Sequence, residues 1–235
     1  MSQLYQKFDI ALFDIPWVYE VWDEPTGGGR TASRHYKTQD PEYFYDLPVL
    51  DLMNDNALIF QWVTYPNLSQ VFPLVEAWNL RARRKRDRFE YKTGFATWAK
   101  LNRRWLNTAK RLLREGVTDA ALEEIMVKCF ANGNGFYTMA NCEPLLIFGR
   151  GNLSADLKRM TKAERHFQAH PVEEHSKKPD AFQEMINRVF PKARKLEVFA
   201  RRELPGWTCM GNELSGNDIY VDFDAYMQRP TLLLP

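Results

Sequence analysis

Phe8-Asp9-Ile10-Ala11-Leu12-Phe13-Asp14-Ile15-Pro16-Trp17 is an apolar run that ends in a carboxylate, a proline and an indole ring. A short apolar segment closed by such residues predicts a buried strand. Similar segments predict further strands at residues 57–64, 95–99, 145–148 and 196–200. Between them, apolar residues at helical spacing predict helices at 68–78 and 182–190. Strands that alternate with helices predict an α/β fold with a doubly wound, mostly parallel sheet.

The residues that follow the first strand carry the chemistry. In a doubly wound sheet, ligands bind at the carboxyl ends of the strands. There Asp14 could accept a hydrogen bond from an exocyclic amine, and the Ile15 carbonyl could accept a second. Pro16 restricts the backbone before it, and Trp17 offers a flat ring for stacking. These residues predict a site for a flat, amine-bearing ring; the alternative reading of Asp14 is a turn-forming carboxylate.

Size and composition limit the class of protein. With 235 residues and 45% hydrophobic content, the chain can form one domain, residues 1–235, around a sizeable core. No apolar window approaches the roughly 20 residues that cross a bilayer, and no signal peptide is evident. We therefore expect a cytoplasmic protein. The three cysteines form no CxxC pair, and Pro171 interrupts the histidine cluster of His166, His170 and His175, so no metal site is expected.

The net charge of +2 conceals an uneven distribution. Residues 81–114 contain thirteen Lys or Arg and only two acidic residues, a local charge of +11. Such a segment predicts contacts with a phosphate backbone, whereas a shorter charge run would usually be a solvated helix face. The predicted contacts are Arg83, Arg84, Lys85, Arg86, Arg88, Arg103 and Arg104.

Two further segments bear on substrate binding. Residues 103–130 predict an inserted pair of helices, the first of them basic, which could grip nucleic acid or serve as a capping subdomain or subunit contact. Gly27-Gly28-Gly29 lacks the Lys-Ser/Thr ending of a phosphate-binding loop. It predicts a mobile lid over the substrate, with Arg30, His35 and Tyr36 behind it, or else a surface turn.

Motifs in a fixed order extend along nearly the whole chain. They are Asp14-Ile15-Pro16-Trp17, Gly27-Gly28-Gly29-Arg30, Phe60-Gln61-Trp62-Val63-Thr64, Trp98-Ala99-Lys100, Glu143-Pro144-Leu145-Leu146, Lys178-Pro179-Asp180, Glu197-Val198-Phe199-Ala200-Arg201 and Gly211-Asn212-Glu213. In these motifs the chain resembles the MT-A family of N6-adenine methyltransferases in its bacterial and phage DNA form, with permuted motif order. It departs from the family's Asp-Pro-Pro-Trp signature at Ile15.

The resemblance implies a Rossmann-like methyltransferase fold, S-adenosylmethionine as the methyl donor, and no metal. It places Asp14, Ile15, Pro16 and Trp17 in catalysis. It implies donor contacts from Asp14, Lys178, Glu197, Phe199, Arg201, Asn212 and Glu213. The predicted substrate is adenine in DNA; RNA, or a non-catalytic nucleic-acid-binding subunit, are the alternatives. Family precedent also allows a homodimer.

Overall fold

The computed structural model describes residues 5–17, 39–131, 133, 138–153, 164–173 and 177–228. The predicted lid, with Arg30, His35 and Tyr36, lies outside the described residues, as does His175. Among the described residues, none of the helices is both long enough and apolar enough to cross a membrane.

A mixed sheet forms the centre of the fold. Its strands are β1 (Phe8–Phe13), β2 (Met53–Trp62), β3 (Glu90–Leu101), β4 (Cys142–Arg150), β5 (Phe167–Pro171), β6 (Lys195–Val198) and β7 (Trp207–Met210). Their order is β5-β3-β4-β2-β1-β6-β7. Four of the six neighbouring pairs are parallel. The exception is β4, which runs antiparallel to both β2 and β3. The prediction of a mostly parallel sheet is confirmed.

Helices cover both faces of this sheet. They are α1 (Val49–Leu52), α2 (Leu68–Asn79), α3 (Arg103–Glu115), α4 (Asp119–Lys128), α5 (Asp180–Val189), α6 (Asn212–Ser215) and α7 (Ile219–Met227). Alternate residues of β2 belong to two separate cores: Ile59 packs with α1, α2 and α7, whereas Phe60 packs with α5. This division follows from the two-residue period of a strand, and it gives the three layers of a doubly wound fold.

The five predicted strands are all present, and two were missed. β5 was missed because its composition is polar and its side chains are half-exposed or exposed at the edge of the sheet. β7 has only four residues, too few for a clear periodicity. The predicted strand at 196–200 ends early, at Val198, because Phe199 turns to a positive φ of 64°.

The helical pair lies beyond the carboxyl end of β3. The Asn102 side chain caps α3, which ends at Gly116 with φ 83°, and the Thr118 side chain caps α4. Ala109, Ile125 and Cys129 form a small core between the two helices. A bridge between Leu101 and Phe130 closes the base of the pair, so the insertion is anchored to the sheet.

Candidate active site

A cleft of about 250 Å³ opens at the carboxyl ends of β1 and β6. Asp14, Ile15 and Pro16 form one side of it, as expected for residues that leave a strand at this edge. The other lining residues are Gln39, Tyr43, Phe44, Phe199, Arg201, Asn212, Glu213, Gly216, Asn217, Asp218 and Ile219. Seven predicted site residues from distant parts of the sequence therefore share one cleft: Asp14, Ile15, Pro16, Phe199, Arg201, Asn212 and Glu213.

Asp14 leaves β1 at the level where Phe13 pairs with Val198 of β6. Its carboxylate accepts two hydrogen bonds from the Lys178 ammonium, at 2.8 and 3.1 Å. The strand end and this ion pair together fix the carboxylate at the edge of the cleft.

Ile15, Pro16 and Trp17 form a tight turn in which the Trp17 N–H donates to the Ile15 carbonyl at 2.9 Å. A carbonyl has two lone pairs, so one acceptor site of Ile15 remains. The Trp17 side chain is only 5% exposed, lies edge-on to Phe44 with ring centroids 6.0 Å apart, and does not line the cleft. The expected stacking platform is thus a core side chain in this arrangement.

Behind Asp14, charged side chains alternate in a chain that the sequence did not predict. Lys178 also lies 3.3 Å from Glu143, which in turn pairs with Lys100. Burial would raise the pKa of the Glu143 carboxyl, but the adjacent charges of Lys178 and Lys100 outweigh it and hold that pKa below its ordinary value. We call Asp14, Lys178, Glu143 and Lys100 the charge chain.

The contacts of Lys178 differ from those expected of a residue that only binds S-adenosylmethionine. Its ammonium has three N–H donors, and it makes two contacts with Asp14 and one with Glu143. It also lies 5.8 Å from the centre of the Trp62 ring. A donor carboxylate that bound Lys178 would have to compete with these carboxylates.

The turn after β6 shapes the opposite side of the cleft. Phe199 has a positive φ, which is rare for a bulky residue, and its ring packs edge-on against Phe44 at 5.5 Å. Arg201 pairs with Glu213 at 3.2 Å. Gly211 makes this turn possible, because a Cβ there would lie 2.5 Å from the Ala200 carbonyl oxygen.

We expect Gly211→Ala to destabilise the protein by about 2 kcal/mol, because the added methyl overpacks against backbone atoms. The displaced Phe199 turn should also weaken donor binding. Gly206→Ala is the control, since a Cβ at Gly206 meets nothing within 4 Å and only its φ of 79° is unfavourable. Urea denaturation and donor titration measure both effects; equal donor affinity in the two variants would contradict this role of Gly211.

Glu197 lies on β6 beneath the cleft rather than in its lining. The Gln183 amide donates to one carboxylate oxygen at 3.3 Å, and the other oxygen is buried without a hydrogen-bond partner among the described residues. Burial, which outweighs the hydrogen bond from Gln183, raises the pKa of Glu197 to about 7, with a further contribution from the charge of Asp14. Whether it contacts the donor stays a prediction.

The raised pKa of Glu197 gives a pH dependence of stability. An acid whose pKa is higher in the folded state stabilises that state fully below its unfolded pKa, and the contribution disappears as pH rises through the folded pKa. As pH rises from 4.5 to about 7, we expect the free energy of unfolding of the parent to fall by about 3 kcal/mol relative to that of Glu197→Gln. Urea denaturation of both proteins across this range tests it; parallel stability curves would show that Glu197 does not titrate as inferred.

The basic segment is divided between two ends of the sheet. β3 begins opposite Gly149, at the end far from Asp14, and its carboxyl end leads into α3 on the same side as the cleft. Arg103 and Arg104 therefore lie at the cleft end. The other predicted phosphate contacts precede β3 and lie at the far end: Arg83, Arg84, Lys85, Arg86 and Arg88. One continuous contact surface beside the cleft is thus excluded for these residues.

Several cleft residues were not predicted from sequence. The Tyr43 hydroxyl donates to the Asp218 carboxylate, and burial together with this hydrogen bond raises the pKa of Tyr43. The Asp218 side chain also caps α7 by accepting from the Tyr220 N–H. A capping aspartate was a detectable signal, but its position facing Tyr43 depends on the packing of α7 against the core.

Residues 134–213 match the family model described as MT-A70. The chain therefore contains a region that is similar to the MT-A70 family. The matched region contains Lys178, Phe199 and Arg201 and extends to Glu213. MT-A70 methyltransferases use S-adenosylmethionine as methyl donor, and the match indicates a methyltransferase with the same donor.

Relatives of two kinds align over most of the chain. The Type II methyltransferase M.MunI of Mycoplasma sp is 25% identical over 92% of this chain and 82% of its own length. The N(6)-adenosine-methyltransferase MT-A70-like of Arabidopsis thaliana is 29% identical over 89% of this chain. The N(6)-adenosine-methyltransferase catalytic subunit METTL3 of Homo sapiens is 25% identical over 89%. The chain spans only about a quarter of the length of these two eukaryotic relatives, 24% and 29%.

Proposed function

We propose that this protein transfers a methyl group from S-adenosylmethionine to the N6 amine of adenine in DNA. The observation that carries the proposal is the position of Asp14, a carboxylate fixed at the end of β1 on the edge of a cleft whose other side is formed by Phe199, Arg201 and Asn212. The match of residues 134–213 to the MT-A70 family model supports the same chemistry.

The target amine is a weak nucleophile, because its lone pair is conjugated with the ring. The Asp14 carboxylate accepts a hydrogen bond from one N–H of the amine, and the free acceptor site of the Ile15 carbonyl accepts a hydrogen bond from the other. These two hydrogen bonds expose the lone pair of the nitrogen. The new N–C bond forms as the methyl–sulfur bond breaks, and the amine then releases a proton. Positioned acceptors thus supply orientation and preorganised charge rather than a covalent intermediate.

The cleft fits the methyl donor in its chemistry. Asn212, Glu213 and Asp218 provide acceptors for ribose hydroxyls, and Phe199 and Tyr43 provide apolar walls. S-adenosylmethionine supplies an activated methyl group when bound. The Lys178 ammonium holds the Asp14 carboxylate in place. The same ammonium could also bind the carboxylate of S-adenosylmethionine.

The similarity to a Type II methyltransferase supports DNA rather than RNA. M.MunI aligns with 92% of this chain, and the alignment includes 82% of the length of M.MunI. The resemblance to bacterial and phage members of the family, which act on DNA, points the same way. The relatives named for adenosine methylation support RNA as the second candidate.

The test is transfer of labelled methyl to DNA and RNA oligonucleotides of matched sequence, with the product identified as N6-methyladenine by mass spectrometry. Faster labelling of DNA is expected. A strong preference for RNA would overturn the choice of substrate. Binding of DNA and donor without any methyl transfer would instead indicate a non-catalytic subunit.

A further inference from the structure

A basic groove lies at the far end of the sheet from Asp14. Lys85, Arg86 and Arg88 form one wall, and Lys92 and Arg150 contribute from β3 and β4, with Glu90 as the single acidic lining residue. Its volume of about 350 Å³ is ample for a phosphate group. Neither the donor cleft nor the proposed target adenine uses any of these residues.

Arg150 gives this groove a built-in positive charge. The side chain belongs to a residue that is only 5% exposed, and its guanidinium donates to the carbonyls of Asn54, Leu50 and Met53, at 2.8, 3.1 and 2.5 Å. Among the described residues it forms no ion pair with a carboxylate; Asp55, Asp87 and Asp51 act on it only from a greater distance. A buried cation held by neutral carbonyls favours an anion on its open side.

The surrounding cations are only partly neutralised. Arg88 pairs with Glu76, Lys92 with Glu90, and Arg84 with Asp87. Lys85 and Arg83 form no ion pair among the described residues, and the carboxylate nearest to Arg86 is 3.9 Å away. The groove and its flank therefore carry more positive charge than a single phosphate group would neutralise, which indicates a polyanion.

We propose that this groove binds the phosphate backbone of DNA at a distance from the target base. The choice of DNA as the polyanion rests on the proposed function. The separation of the two sites can be measured along β2. Arg150 pairs with Ala57 of this strand, whereas Asp14 follows Phe13, which pairs with Gln61 of the same strand. The two sites are therefore roughly 17 Å apart along the strand direction. They are also two strands apart, which corresponds in total to about six base pairs of duplex.

The test compares Lys85→Ala/Arg86→Ala with Arg165→Ala/Lys192→Ala, which removes two exposed charges elsewhere on the surface. DNA affinity is measured against salt concentration for the parent and both variants, on a duplex of about 30 base pairs and on one of about 10 with a central adenine. On the longer duplex, the logarithm of the association constant should depend less steeply on the logarithm of the salt concentration in Lys85→Ala/Arg86→Ala, the groove variant. The slope should be smaller in magnitude by roughly 0.9 for each lost phosphate contact. On the shorter duplex, the two variants should have equal affinity.

Equal salt slopes for the groove variant and the control on the longer duplex would overturn the proposal. So would an equal loss of affinity on both duplexes, because the contact would then lie near the target base. A larger effect on RNA than on DNA of the same length would overturn the choice of DNA. Binding is measured without turnover, so a parent that binds DNA but transfers no methyl group refutes the proposed function while the groove is still tested.

Discussion

Replacing Asp14 by asparagine is expected to lower the rate constant for methyl transfer by about 100- to 1000-fold. The change keeps the size of the side chain but replaces one acceptor oxygen by an N–H₂ group, which can no longer accept a hydrogen from the adenine amine. Single-turnover transfer of labelled methyl, with saturating donor and DNA, measures the effect on the chemical step.

Asp46→Asn is the matched control, because the same chemical change is made at a side chain that is 86% exposed and outside the cleft. Donor titration and urea denaturation of both variants separate catalysis from binding and folding. If Asp14→Asn transferred methyl as fast as Asp46→Asn, Asp14 could not hold the target amine. Loss of folding in Asp14→Asn alone would instead point to a structural role in the pair with Lys178.

Replacing Lys178 by methionine is expected to destabilise the protein by about 3 kcal/mol at neutral pH. The Asp14 and Glu143 carboxylates would lose their shared cation, and the side chains of Lys178 and Glu143 are only 11% and 10% exposed. Lys100 would still neutralise part of the Glu143 charge. Urea denaturation gives the free energy of unfolding, and methyl transfer should fall as well because Asp14 is no longer held.

The double variant Lys178→Met/Glu143→Gln tests the cause. It removes the buried carboxylate together with its cation, so it should be more stable than Lys178→Met alone. The pKa of Glu143 lies below its ordinary value of 4.5 in the parent, so the contribution of the pair is present above pH 4.5 and disappears as pH falls below it. A double variant no more stable than the single one would show that loss of Lys178 packing, not charge, is responsible.

Sequence and structure agree best where local patterns determine the outcome. The apolar run Phe8–Phe13, the helical stripe of α5 and the inserted helical pair within residues 103–130 were all predicted without coordinates. Each depends on residues that are adjacent or one turn apart, so its signal lies in a short window. The motif order likewise indicated the family and the residues that gather around Asp14.

Tertiary structure decided what depends on the relative placement of distant segments. The charge chain joins Asp14 to Lys178, Glu143 and Lys100, which lie on or beside β1, α5, β4 and β3. The buried position of Trp17 depends on Phe44, and the cleft partner of Tyr43 is Asp218. No local periodicity encodes such contacts, because they arise from the packing of whole elements.

The basic segment shows the same division most clearly. Sequence determined that residues 81–114 carry a large positive charge and that a phosphate backbone is a suitable partner for them. Only the direction of β3 showed that this charge is separated into a cleft-side helix and a remote groove around Arg150. The physical reason is that an extended strand of twelve residues carries the two ends of one charged segment roughly 40 Å apart, a separation that composition does not contain.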